Sequence, residues 1–395
     1  MAEKILIVDD SADLRRLLSL TLIKTGYEVI EAIDGNDALA KAHTFKPDLI
    51  LLDIVMPLLD GYGVCKMLKD DEHTTHIPII FLSGKTDAAD KIKGLEIGGA
   101  DYITKPFDKG EIIARVQNQL KIQLLTLELI EKNKELTEKQ RWLDEDLKAA
   151  GGVQQSLLPH KYPDIKHLNI AWKFIPSYLI GGDIFNFIQF DEDNVGFYMI
   201  DVSGHGVPSA LVTVSISQAL QPMSGNVTKR KINSSPGYRI SSPREVLETL
   251  DAEYPLNRFE SYFTMIYAII NVQDGNILYS NAAHPPPVLL HKDGSHELLD
   301  AGGTIIGMDG ILPFEEEQKT LYNGDRIIFY TDGVTEFQND NGEFYGEERF
   351  LSILKENQDK KVVALIDAVM ASIKDFGGNT KFQDDISLVG IEYSG

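Results

Sequence analysis

Asp9 and Asp10 close one short apolar run, Lys4–Val8, and Asp53 closes another, Leu49–Leu52. Ser83 follows the run Ile77–Leu82, and Lys105 follows Ala100–Thr104. In an open parallel sheet, groups at the carboxyl ends of the strands converge on one crevice. Three carboxylates crowded at such an edge repel one another and call for a divalent cation, and magnesium prefers oxygen ligands of this kind. Asp53 can then attack a phosphoryl group while the cation and Lys105 neutralise its equatorial oxygens. Ser83 can hydrogen-bond one of those oxygens. Each residue alone says little; the ordered set, each member at a strand end, says much more.

A second acidic set lies further along. Gly181-Gly182-Asp183 precedes an apolar segment, and Asp201-Val202-Ser203-Gly204-His205-Gly206 ends one. Tyr330-Thr331-Asp332-Gly333 closes another, and Asp384-Asp385 precedes the last. Taken singly, an Asp-Gly pair is usually a turn. Together, four acidic sites beside glycines, where backbone can approach a ligand closely, could hold two hard cations. Two cations can bridge a water, lower its pKa and hold phosphoryl oxygens for in-line attack.

The elements that must position these residues are legible from periodicity. Over residues 1–120 short apolar strands alternate with amphipathic helices: Leu14, Leu17, Leu18 and Leu22 share one face of a helix at Asp13–Thr25, and another helix covers Asn36–His43. Tyr27–Ala32 adds a strand, giving five, and a further helix starts at about Lys109. This alternation predicts a parallel sheet covered on both faces. Residues 121–158 predict a helical linker. Ile122, Leu129, Leu136, Leu143, Ala150 and Leu157 recur every seven residues, one column of a coiled-coil seam. The companion column is mixed, with Leu125 and Leu147 apolar but Asn133 and Gln140 between them. Weak pairing with a second copy and a lone helix packed on its own domains are both open readings. Residues 159–395 alternate strand-like segments with helices at Ser209–Leu220, Pro243–Tyr254, Glu347–Lys355 and Val362–Phe376, which predicts antiparallel sheets with helices. The polar stretch Gly225–Ser242 reads as a mobile surface loop.

The first set, with VDD at 8–10, DIVMPLLDG at 53–61, SG at 83–84 and KPF at 105–107, resembles the receiver domain of bacterial response regulators. The resemblance implies a five-stranded, flavodoxin-like parallel sheet, Asp53 as phosphoacceptor, Asp9 and Asp10 as ligands of a magnesium ion, and a cognate histidine kinase as donor. Tyr102 matches the family's switch aromatic; plain core packing is the equal alternative. The second set, with GGD, DVSGHG, NAAHPPP, GDRIIFYTDGVTEFQN, FYGEERF and DDISL in order, resembles the metal-dependent protein phosphatases of the stage II sporulation protein E-like group. That implies two antiparallel sheets flanked by helices, binding two manganese or magnesium ions. Asp183, Asp201, Asp332 and Asp384 would be ligands, with the Val202 carbonyl; Asp385 either holds a water or replaces Asp384. His205 matches a motif position, though bracing the glycine-rich turn is the plainer role. Asn186 and Ala283 depart from the pattern, where aspartate and glycine are usual. The implied substrate is a phosphoserine or phosphothreonine protein such as an anti-anti-sigma factor. The rival reading is a phosphorylation-controlled interaction protein that binds a partner without turnover.

Bulk properties agree. The 395 residues carry 60 acidic against 38 basic groups, a formal net charge of -22 that disfavours nucleic acid as a partner. One cysteine, Cys65, excludes an intrachain disulfide and fits a reducing, cytoplasmic setting; it reads as a small buried hydrophobe. No apolar run is long enough for a membrane span.

Overall fold

In the computed structural model, which describes residues 2–84, 88–159, 163–204, 206–222, 227–233 and 237–395, the chain divides into two compact units, Met1–Lys139 and Gln140–Gly395. In the first, strands β1 (Lys4–Val8), β2 (Glu28–Ala32), β3 (Leu49–Asp53), β4 (Ile79–Ser83) and β5 (Asp101–Thr104) pair in parallel in the order β2-β1-β3-β4-β5. Alternation along β1 explains the two covered faces. Leu6 and Val8 join one apolar cluster, with Ile50, Leu52 and Phe81, while Ile5 and Ile7 join the other, with Leu49, Leu51 and Ile80. Helices Ala12–Lys24, Gly35–Phe45 and Gly61–Lys69 each begin at a side-chain cap, Ser11, Asp34 and Asp60, whose oxygen accepts a backbone N–H three residues on. Cys65 is fully buried in the first of these clusters, with Leu6 and Val8, and burial pushes its thiol up to about 11, which makes it a packing residue and a poor nucleophile.

The helix expected from Lys109 runs unbroken to Gln155. Of the predicted seam, Leu129, Leu136 and Leu143 are 61%, 63% and 58% exposed, whereas Leu157 lies past the end of the helix and packs on a core cluster of the second unit, so the seam ends before it.

In the second unit the strands are β6 (Leu168–Ile175), β7 (Asp183–Gln189), β8 (Asn194–Val202), β9 (Lys229–Lys231), β10 (Tyr238–Ile240), β11 (Phe263–Asn271), β12 (Asn276–Ala282), β13 (Val288–Leu290), β14 (His296–Leu298), β15 (Gly302–Gly303), β16 (Glu317–Thr320), β17 (Arg326–Tyr330) and β18 (Ile386–Tyr393). One sheet runs β15-β12-β11-β8-β7, with β16 also on β12; the other runs β14-β13-β17-β18-β6. All these pairings are antiparallel except the two-residue β12–β15 pair. Phe185, Phe197, Phe329 and Val389 fill the space between the sheets, and the rings of Phe197 and Phe329 meet across it at 4.3 Å. The outer faces bury a second cluster under helices Val207–Ala219 and Pro243–Glu253, and a third under Gly346–Glu356 and Val362–Gly377. The result is a sandwich of two sheets flanked by helices.

One sequence expectation needs correction. Within the stretch Gly225–Ser242, read as a loop, β9 and β10 pair antiparallel, while residues 225, 226 and 234–236 lie outside the described residues. Val227 and Thr228 are buried, and Arg239 forks onto both oxygens of Glu245, so this polar segment is pinned at both of its ends.

Candidate functional site

Parallel pairing of β1 with β3, of β3 with β4 and of β4 with β5 delivers Asp9, Asp53, Ser83 and Lys105 to one edge. The Lys105 ammonium lies 2.8 Å from Asp9 Oδ2 and 2.9 Å from Asp53 Oδ2. Asp9 Oδ1 accepts the Ser11 N–H at 2.8 Å, which fixes that carboxylate. Asp9 and Asp53 are buried and Asp10 is exposed, yet all three offer oxygens within 4.8 Å of one another. Burial raises the Asp53 carboxyl above its ordinary range, against the lowering effect of Lys105. Burial also pulls Lys105 down, but its bonds to Asp9 and Asp53 more than offset this and leave it raised. Three hard oxygen donors around one point, with one ammonium, fit a magnesium ion. Ser83 is buried beside them, and its carbonyl accepts the Lys105 N–H. Tyr102 is buried, with its ring 6.4 Å from that of Phe81.

The second acidic set gathers at one end of the sandwich. Asp183 opens β7 directly opposite Asp201 near the end of β8. Asp332 follows β17 and Asp384-Asp385 precede β18, in the facing sheet. Asp183 is buried and held across the sheets: its Oδ2 accepts from Thr331 Oγ1 at 2.8 Å and from Ser387 Oγ at 2.7 Å. The two aspartates expected to compete have different surroundings. Asp385 is buried and turned inward, its Oδ1 accepting from the Ser177 N–H (2.8 Å) and hydroxyl (3.0 Å). Asp384 is exposed, and its Oδ1 accepts the Asp385 N–H. Gly181 explains the inward approach, since a Cβ there would lie 1.8 Å from Asp385 Oδ2.

Burial, then Asp201 and Asp385, raise the Asp183 carboxyl well above its usual value. Burial, then Asp332, Asp384 and Asp385, raise Asp201 to about 7. Burial is the largest influence on both and neighbouring carboxylates come next, while the Ser387 and Thr331 hydroxyls pull Asp183 back down. A site of this composition takes up protons or cations, and its donors suit manganese or magnesium. Unlike the first set, it closes no triple of oxygens within 4.8 Å among the described residues, so its acids are spread over a wider space.

One of the two departures has a local explanation, and the other sits in strained backbone. Asn186 donates from Nδ2 to the Leu157 carbonyl at 2.8 Å, a bond that an ionised aspartate could not make. Ala283 sits at φ 52°, where glycine is the favoured residue. His205 lies outside the described residues. Thr331, Ser387 and Ser177 were not singled out from sequence, although the first two sit inside the quoted motifs YTDG and DDISL.

His284, next to Ala283, is buried, with Nδ1 2.8 Å from Thr264 Oγ1. Burial pushes its pKa down to about 3. A depressed histidine contributes stability above its unfolded pKa of about 6.5, and this is lost as pH falls toward the folded value, by up to ~1.4 kcal/mol per unit. The urea midpoint should therefore fall more steeply between pH 7 and pH 5 in wild type than in His284→Gln. Equal slopes would remove this linkage.

A parallel-sheet unit with an aspartate–lysine edge, together with a two-sheet sandwich carrying an acidic end, defines a receiver joined to a phosphatase-like fold. Residues 5–117 match the response regulator receiver domain, and residues 191–394, just over half of the chain, match stage II sporulation protein E. The chain belongs to the stage II sporulation protein E family. Curated relatives align with the receiver portion. The alkaline phosphatase synthesis transcriptional regulatory protein PhoP of Bacillus subtilis is 49% identical over 117 residues, 30% of this chain and 48% of its own. A probable transcriptional regulator of Guillardia theta is 47% identical over 119 residues, 30% of this chain and 46% of its own. The chain thus spans about half the length of the curated relatives it matches. Among solved structures, the SiaA-PP2C domain of Pseudomonas aeruginosa shares the fold, with 20% identity and a TM-score of 0.53 over 65% of this chain and 99% of that one. No helix among the described residues is long and apolar enough to cross a membrane.

Proposed function

We propose that the chain is a response regulator, phosphorylated on Asp53 by a histidine kinase, that controls an attached metal-dependent serine/threonine protein phosphatase. The observation that carries the phosphatase reading is the placement of Asp183 directly opposite Asp201, close enough to Asp332, Asp384 and Asp385 that these carboxylates, after burial, raise Asp201. Bound manganese or magnesium ions supply Lewis acidity toward the phosphoryl oxygens and the attacking water. Asp183, Asp201, Asp332 and Asp384, with the Val202 carbonyl, hold them. Thr331 and Ser387 fix the Asp183 carboxylate in one rotamer, and Asp385 holds the Ser177–Asp183 segment by accepting its N–H groups. The substrate is a phosphoserine or phosphothreonine protein of the anti-anti-sigma type. Hydrolysis of para-nitrophenyl phosphate that needs manganese and stops in EDTA is the test; full activity in EDTA would sink it.

The proposed units are a receiver at 1–120, a helical linker at 121–158 and a phosphatase domain at 159–395. The exposed column Leu129, Leu136 and Leu143 supports a homodimer paired weakly along the helix. A pairing this shallow can shift between states that differ by a few kcal/mol. Leu136→Glu with Leu143→Glu should halve the mass in solution and uncouple the phosphatase rate from a phosphodonor. Wild-type mass with an unchanged response would make the helix a passive spacer.

A further inference from the structure

The C-terminal end of the helix Lys109–Gln155 does more than reach the second unit. Gln154 is 5% exposed, and its amide is spent entirely on one residue. Its Nε2 donates to the Gly181 carbonyl at 2.7 Å, and its Oε1 accepts the Gly181 N–H at 3.1 Å. A primary amide is the side chain that can both donate and accept in this way; glutamate at the same length would only accept. Two further contacts lie alongside. A Cβ on Gly151 would come within 2.0 Å of the Leu179 carbonyl, so glycine lets the helix close onto the 177–181 segment. Just past the helix, the Leu157 carbonyl accepts from Asn186 Nδ2 at 2.8 Å.

The segment clamped in this way carries the metal site. Gly181 lies against Asp385, the Gly182 carbonyl accepts from the Thr213 hydroxyl at 3.0 Å, and Asp183 follows at once. Both backbone groups of Gly181 are buried, so without Gln154 they lose their partners in a place water does not readily reach. The cheapest relief is movement of Gly181, which drags Asp183 with it.

We propose that Gln154 is a positioning residue that ties the helix end to the Gly181–Asp183 backbone and so sets the affinity of the phosphatase site for its metal ions. The inference rests on the metal-dependent reading given above. It makes the last helical turn part of the site: a rotation of the helix that withdraws Gln154 releases Asp183 without touching any carboxylate. Groups that orient metal ligands from behind typically alter affinity by about 10- to 100-fold.

The experiment is a manganese titration of the full chain, followed by the electron paramagnetic resonance signal of free Mn2+, for wild type, Gln154→Met and Asp201→Asn. Methionine keeps the length and burial of glutamine and removes both hydrogen bonds. Gln154→Met should bind Mn2+ at least about tenfold more weakly, and half-saturation in para-nitrophenyl phosphate hydrolysis should rise in parallel. The rate at saturating manganese should stay within a few-fold of wild type. A residue that merely stabilised the fold would lower the melting temperature and leave the affinity of the folded protein unchanged, so equal affinities overturn the proposal. If Gln154→Met does not fold, Asn186→Ser, which cuts the neighbouring tie to Leu157, carries the same comparison: weaker Mn2+ binding supports the proposal and unchanged binding overturns it. A wild-type chain that binds no Mn2+ sensitive to Asp201→Asn would sink the metal reading itself, and this inference with it.

Discussion

Asp53→Asn should abolish labelling of the chain by a small phosphodonor in the presence of magnesium. The expectation follows from the arrangement of the first site. Asp9 has both oxygens committed, one to the Ser11 N–H and one to Lys105, so its carboxylate is fixed in place. Asp10 is exposed. Asp53 is buried at the end of β3, with Lys105 2.9 Å from one oxygen and ready to follow charge onto a transferred phosphoryl group. In the transfer, an Asp53 oxygen forms the new bond to phosphorus, the bond from phosphorus to the donor's leaving group breaks, and that group departs with its electron pair. The amide of asparagine keeps the shape but is a far weaker nucleophile. The measurement is a phosphate-sensitive gel or intact mass with and without donor. Labelling that survives in Asp53→Asn would place the acceptor elsewhere.

The first site was legible because a parallel sheet turns sequence order into spatial convergence: whatever ends each strand ends up at one edge. Asp9, Asp53, Ser83 and Lys105 meet for that reason alone. The second site was harder. Its acids come from two sheets that face each other, and strand order does not say which ends face. The motifs placed the residues, whereas periodicity alone would have left four turns. Asp384 and Asp385 could not be ordered because neighbours at a strand entry point to opposite sides; the burial of Asp385 and exposure of Asp384 needed coordinates. The helix Ala88–Glu96 escaped notice because AADKIKGLE carries too few apolar residues for a clear face. The β9–β10 pair escaped because three-residue basic strands look like solvated loop. Gln154 gave no sign at all, since one glutamine among several in a polar helix has no pattern to stand out from.

Asp201→Ala should lower manganese-dependent phosphate release from a phosphoserine or phosphothreonine protein by on the order of 10²–10³-fold, the scale for removing a group that meets transition-state charge. Asp201 is the informative position. Asp183 is buried and gripped by two hydroxyls, so its loss mixes folding with catalysis. Asp201 is partly exposed, stands opposite Asp183 across the β7–β8 pair, and is raised to about 7 by burial first and then by Asp332, Asp384 and Asp385. Carboxylates that repel to this degree are relieved when a cation arrives, so binding free energy is concentrated where Asp201 sits. Alanine removes both the repulsion and the ligand. The apo protein should therefore hold or gain thermal stability while activity and Mn2+ affinity fall together. EDTA should bring wild type down to the level of the variant, and added manganese should restore wild type alone. Asp332→Asn, from the facing sheet, should behave in the same way, because cations held between the sheets need donors from both. A variant at Asp201 that keeps activity within tenfold of wild type, still sensitive to EDTA, would put the metal ions elsewhere in the chain and leave the acidic end of the sandwich without its proposed role.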